Sequence, residues 1–147
     1  MRKKDQERQL TIVHRPLSHC PLTIDYQLYY MAFKFENLQI WQKAFTLTYE
    51  VHNSAITFPK NEMFNLASQI KRAGDSVVLN RAEGSTGLSN AEFATFLTIA
   101  LRSAIEVVAC LMLARKRNYA NEEIYLHLYT EYEHLCRMIT KFRDNLK

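Results

Sequence analysis

Residues 89–117 read SNAEFATFLTIALRSAIEVVACLMLARKR, and this stretch decides the fold. Ser89 followed three residues later by Glu92 is a capping box: the serine hydroxyl accepts from the N–H of the third helical residue, and the glutamate reaches back to the serine N–H. Phe93, Phe96, Leu97, Ala100, Leu101, Ala104, Ile105, Val107, Val108, Leu111 and Met112 then follow at helical spacing and cover more than half of a helical wheel. Arg115, Lys116 and Arg117 end the stretch with positive charge, which complements the negative end of a helix dipole. The spacing predicts a helix over 90–117. A helix apolar on most sides must be covered on most sides, so it needs helical neighbours on several flanks.

Three further stretches supply them. Upstream, the spacing predicts a helix near 61–83, with Asn61 as N-cap and Met63, Leu66, Ile70, Ala73 and Val77 as its core face. Gly84-Ser85-Thr86-Gly87 reads as the turn that ends it; the run is too short for a phosphate loop and lacks the lysine such a loop needs. Further upstream, a helix near 36–56 carries two apolar stripes, Leu38, Trp41, Phe45, His52 and Ile56 on one face and Ile40, Ala44, Leu47 and Val51 on another. Phe58-Pro59 breaks it. Downstream, Asn118 to Asn121 is a short turn, and a helix near 122–146 aligns Ile124, Leu128, Tyr132, Leu135, Ile139, Phe142 and Leu146. Four helices with short connections predict an all-α, antiparallel up-down-up-down four-helix bundle over residues 33–147.

The composition agrees. Of 147 residues, 48% are hydrophobic and 23% charged, which suits one globular domain, and three glycines and three prolines are too few for a turn-rich β or Rossmann-type fold. No apolar run is expected to span a bilayer, and no secretory signal is read, so the expected compartment is the cytoplasm, with no membrane partner. Residues 1–32 differ from the rest. They hold Pro16 and Pro21 and lack a helical period, and they are read as a disordered or non-native-start extension upstream of Met31, the alternative being a basic nucleic-acid arm.

Two of the helices carry more apolar surface than one bundle needs. The surplus is read as subunit contact in a homo-oligomer. Placing the second stripe of the first helix in that contact predicts that Val51→Asp leaves a folded bundle and weakens assembly, while Leu101→Asp disrupts folding.

Candidate chemistry is sparse. The second helix bears a polar stripe, Glu62, Asn65, Gln69, Arg72, Ser76, Asn80 and Glu83, at three- and four-residue steps. It is either a nucleic-acid or partner surface, with Arg72 on phosphate, or a set of pairs within the bundle or across subunits. Lys71, Arg72 and Arg81, with Arg115, Lys116 and Arg117, are the candidate nucleic-acid contacts; the last three serve equally as dipole complements. The net charge is +4, so a monomer is a modest polyanion binder, whereas a ring repeats each patch. Tyr119, Tyr125, Tyr129 and Tyr132 fit base stacking or a core edge. Glu123, His127, Glu131 and His134 share a face but do not form HExxH, and no metal or cofactor is expected. Cys20, Cys110 and Cys136 form no CxxC pair and no nucleophile–base arrangement. No enzymatic activity is expected.

Phe35-Glu36-Asn37-Leu38-Gln39-Ile40-Trp41-Gln42-Lys43-Ala44 resembles the opening of the bacterial four-helix bundle family that includes the ribosomal-RNA intervening-sequence proteins. Phe58-Pro59-x-x-Glu62-x-x-x-Leu66-x-x-Gln69-x-x-Arg72-Ala73-x-x-Ser76 and Asn80-x-Ala82-Glu83-Gly84 are similar to its central signature, and Glu92-Phe93-x-x-Phe96-Leu97-x-x-Ala100 with Ser103-x-x-Glu106 extends the likeness. Arg81 stands where the family has an apolar residue, and Leu101-Arg102-Ser103 replaces a glycine-serine pair. The resemblance implies a bundle encoded within ribosomal-RNA gene insertions. It also implies kinship with retroelement accessory proteins, basic homopentamers that engage a reverse transcriptase and nucleic acid. RNA, further copies of the chain, or a protein such as a reverse transcriptase are the partners it suggests.

Overall fold

The computed structural model describes residues 34–84 and 89–146, all within the unit Met31–Lys147. The readings of residues 1–32 and of the loop at 85–87 lie outside the described residues. Four helices form: α1 Gln39–Ile56, α2 Leu66–Gly84, α3 Asn90–Lys116 and α4 Glu122–Asp144. Short 3-10 turns at Lys34–Asn37 and Lys60–Glu62 precede α1 and α2, and no strand occurs among the described residues. Each helix packs on two neighbours, α1 on α2, α2 on α3, α3 on α4 and α4 on α1, so the four close a square.

The caps follow the sequence. Ser89 Oγ accepts from Glu92 N at 3.3 Å, and Glu92 Oε2 accepts from Ser89 N at 3.0 Å. Those bonds from Ser89 hold the Glu92 carboxyl below its ordinary range. Asn121 caps α4, its side-chain oxygen accepting from Ile124 N at 2.8 Å. Asn118, at φ 58°, ends α3 in the left-handed conformation that asparagine tolerates, and this lets Tyr119 N–H reach Ala114 O at 2.8 Å.

The core runs through the square, with Val51, Ile70, Val77, Leu97, Leu111 and Tyr132 fully enclosed. Val51 corrects the sequence reading: it is 0% exposed, so its stripe is the inner face of α1, and the outward stripe is the one with Phe45 and Ile56. Small residues decide the choice. Ala44, Ala55 and Thr48 let α1 sit close to α2, where Thr48 Oγ1 donates to Gly74 O at 3.0 Å and a Cβ on residue 74 would meet Thr48 at 3.4 Å. Leu101, expected in the core, is half-buried against it.

The start of α2 is also corrected. Pro59 lacks an N–H and starts a 3-10 turn, in which Glu62 N donates to Pro59 O at 2.8 Å. The α-helix begins only at Leu66, with Asn65 O accepting its first bond from Gln69 N, so Asn61 is not its cap and Met63 lies exposed. By length and composition alone α3 is apolar enough to cross a membrane, and one face of it, from Leu97 to Ala114, is core.

Candidate functional site

The polar stripe of α2 becomes the seam with α3. Gln69 Nε2 donates to Glu106 Oε1 at 3.0 Å, and the Ser76 and Ser103 hydroxyls share a hydrogen bond of 2.8 Å. Asn80 Nδ2 donates to Ser76 O at 2.8 Å and to Ser76 Oγ at 3.0 Å. Ser76, Asn80 and Ser103 are small enough to sit between two closely packed helices, and each buried polar atom placed there needs its partner. The pair reading therefore describes these groups.

Glu62 anchors one end of the stripe. It is only 8% exposed and accepts from Leu66 N at 3.4 Å, Arg117 Nη1 at 3.3 Å and Tyr119 Oη at 3.3 Å. A buried carboxylate is tolerable only with such donors. The same bonds tie the start of α2 to the turn after α3. At the other end, Arg81 and Glu83 belong to the last turn of α2, but their side chains lie outside those described.

The Arg115-Lys116-Arg117 cluster is divided. Arg115 grips Glu122 with both oxygens, Nε at 2.8 Å and Nη2 at 2.7 Å, which raises its pKa, and its guanidinium lies 4.5 Å from the Tyr125 ring centre. Arg117 faces Glu62. Lys116 is exposed. Lys71 is half-buried and Arg72 exposed, and neither joins an ion pair among the described residues.

The proposed face of α4 is taken up by α1. His127 Nε2 lies 2.8 Å from Glu50 Oε2, and Glu131 pairs with Lys43, whose hydrogen bond holds the Glu131 carboxyl below its ordinary range. Glu123 and His134 are exposed. No group of three His, Cys, Asp or Glu is arranged for a metal among the described residues. Burial pushes the Cys110 and Cys136 thiols up. Of the tyrosines, Tyr132 is wholly core, Tyr119 packs on Phe58 with ring centres 6.0 Å apart, and Tyr125 packs on Tyr129 at 5.7 Å.

Two apolar faces remain open, on opposite sides of the square. On the α1–α2 side, Phe45 (57% exposed), Tyr49, Val78 and Leu79 line a groove of about 380 Å³, with His52 and Asp75, 3.0 Å apart, in its wall. On the α3–α4 side, Ile105 (56% exposed) and Met112 lie two turns apart on α3, and Leu126 and Tyr129 of α4 are exposed as well. The sequence signalled the surplus through the width of its stripes and could not say which stripe was outermost.

Among solved structures, the chain resembles a crystal structure of a protein of unknown function from the S23 ribosomal protein family of Bacteroides thetaiotaomicron. The two share 23% identity and a TM-score of 0.66 over 71% of this chain and 95% of that one, a likeness of fold. No curated protein matches. Residues 36–141 match the 23S rRNA-intervening sequence proteins, a span that includes all of α1, α2 and α3, the polar seam and both open apolar faces. The chain belongs to the 23S rRNA-intervening sequence protein family.

Proposed function

We propose that this chain is a non-enzymatic, RNA-associated protein that works in the bacterial cytoplasm as a homo-oligomeric ring of antiparallel four-helix bundles, with five copies by family resemblance. The observation that carries the reading is the pair of unlike apolar faces on opposite sides of one subunit. Two unlike faces associate head to tail, and head-to-tail contacts close into a ring when the rotation between copies closes. The antiparallel reading is supported by the reversed order of the cross-helix pairs: Gln69 with Glu106 and Ser76 with Ser103, then Lys43 with Glu131 and Glu50 with His127. RNA is supported by the family and by a positive charge that a ring multiplies, fourteen basic against twelve acidic residues over 31–147, a net of +2 per copy. The buried Cys110 thiol and the half-buried Cys136 thiol, both with raised pKa values, make poor nucleophiles.

The aromatic groove of Phe45 and Tyr49 favours a second reading, a scaffold for a protein partner such as a reverse transcriptase. Solution mass by light scattering, combined with RNA retention, separates the two. The ring reading expects a multimeric wild type and a fall in mass for folded Phe45→Ser or Ile105→Ser variants. A monomeric wild type at micromolar concentration refutes it, and RNA retention that appears only with a protein partner favours the scaffold.

A further inference from the structure

Six arginine side chains are described, and four of them meet a carboxylate: Arg115 with Glu122, Arg117 with Glu62, Arg137 with Glu133 and Arg143 with Asp144. Arg72 and Arg102 are exposed and meet none among the described residues. They come from different helices yet flank the same structure. Arg72 lies one turn from Gln69 and one turn from Ser76; Arg102 adjoins Ser103 and lies one turn from Glu106. Those four residues are the rungs of the α2–α3 seam, at 3.0 Å and 2.8 Å.

Resting on the RNA reading above, we propose that the outer edge of the α2–α3 seam is a phosphodiester-binding surface, with Arg72 and Arg102 as its two phosphate contacts. The seam fixes the spacing of the two backbone positions that carry these arginines, because its hydrogen bonds hold the register of α2 against α3, and packed helix axes lie about 8–10 Å apart. A planar fork matched to phosphate oxygens loses little freedom on binding when its helix is already held. Two acids nearby already have hydrogen-bond partners and keep their charge: Glu106 accepts from Gln69, and Asp75 lies against His52. The carboxylates that occupy Arg115 and Arg117 make the end of α3 the weaker site.

The test measures fluorescence anisotropy of a fluorescein-labelled RNA hairpin of about 20 nucleotides, titrated with the full chain between about 50 and 200 mM salt. Arg72→Ala/Arg102→Ala is expected to weaken binding at least about tenfold at low salt and to lower the slope of log affinity against log salt by about 2. Arg72→Lys/Arg102→Lys keeps most of that slope, and Lys116→Ala changes affinity by less than about threefold. Unchanged binding by the double alanine variant overturns the proposal and leaves the RNA reading standing. Loss of binding together with a fall in solution mass also overturns it, since the edge would then be a contact between copies. A wild type that does not bind the hairpin at all removes the RNA reading and this surface with it.

Discussion

The α2–α3 seam and the α1–α4 contact join helices of similar length by different chemistry. Between α2 and α3 the cross-links are an exposed amide, Gln69, on Glu106 and a part-buried pair of hydroxyls, Ser76 with Ser103, to which Asn80 of α2 is also bonded. Between α1 and α4 they sit at the rim and are ionic, Lys43 with Glu131 and Glu50 with His127. A hydroxyl pair with one partner buried is costly to leave half-made and so favours one register. Half-exposed ion pairs gain little, because water competes for both partners. The difference teaches that α1 is held by the oily face containing Val51 and Leu47 and only trimmed by its charges, whereas the α2–α3 register is written in hydrogen bonds.

The largest test of that contrast is Val51→Asp. An unpaired carboxylate in the core should cost about 4–5 kcal/mol and leave little folded chain, read as loss of the cooperative melt followed by circular dichroism. A folded variant of reduced mass would restore the outward placement of Val51.

The seam comes next. Ser76→Ala alone should cost about 1–3 kcal/mol in urea unfolding, because the Ser103 hydroxyl loses its partner in a buried layer. Ser76→Ala/Ser103→Ala should cost less than the sum of the two single changes, since removing both hydroxyls leaves neither stranded. Strict additivity would show that the hydroxyls do not depend on one another.

The smallest effect is expected at the rim. Lys43→Ala should cost under about 1 kcal/mol near neutral pH. The sign of its pH dependence follows from Glu131, whose folded pKa lies below the ordinary 4.5 because of Lys43. That pair stabilises the fold above pH 4.5 and loses its contribution as pH falls through the lowered folded value. Stability curves of wild type and variant should therefore converge on acidification, and a gap that stays constant down to about pH 3 would remove the ionic account.

Much of the fold was legible because local chemistry is local. The capping box of Ser89 and Glu92, the turn at Asn118 to Asn121 and the Pro59 break each act within a few residues, and the helices end near where those residues predict. The start of α2 was misread because an apolar period runs on through Met63 and Phe64, whereas a 3-10 turn that lets Glu62 point inward to Arg117 and Tyr119 depends on residues more than fifty positions away. The stripes of α1 were legible as a pair and not as inside and outside. Periodicity measures an angle around the helix and carries no information on where the neighbours stand.

The sequence by itself determined that the chain is helical, where its helices begin and end to within a few residues, that it carries more apolar surface than one bundle needs, and to which family it is similar. Those properties follow from backbone capping, spacing and composition, which are set along the chain. Only the tertiary structure decided which stripe of α1 is core, that Gln69 and Ser76 close a seam with α3, and that Arg115 and Arg117 are taken by carboxylates while Arg72 and Arg102 meet none among the described residues. A charge is available for binding only if nothing within about 4 Å answers it, and that distance is measured through space between residues that the chain keeps far apart.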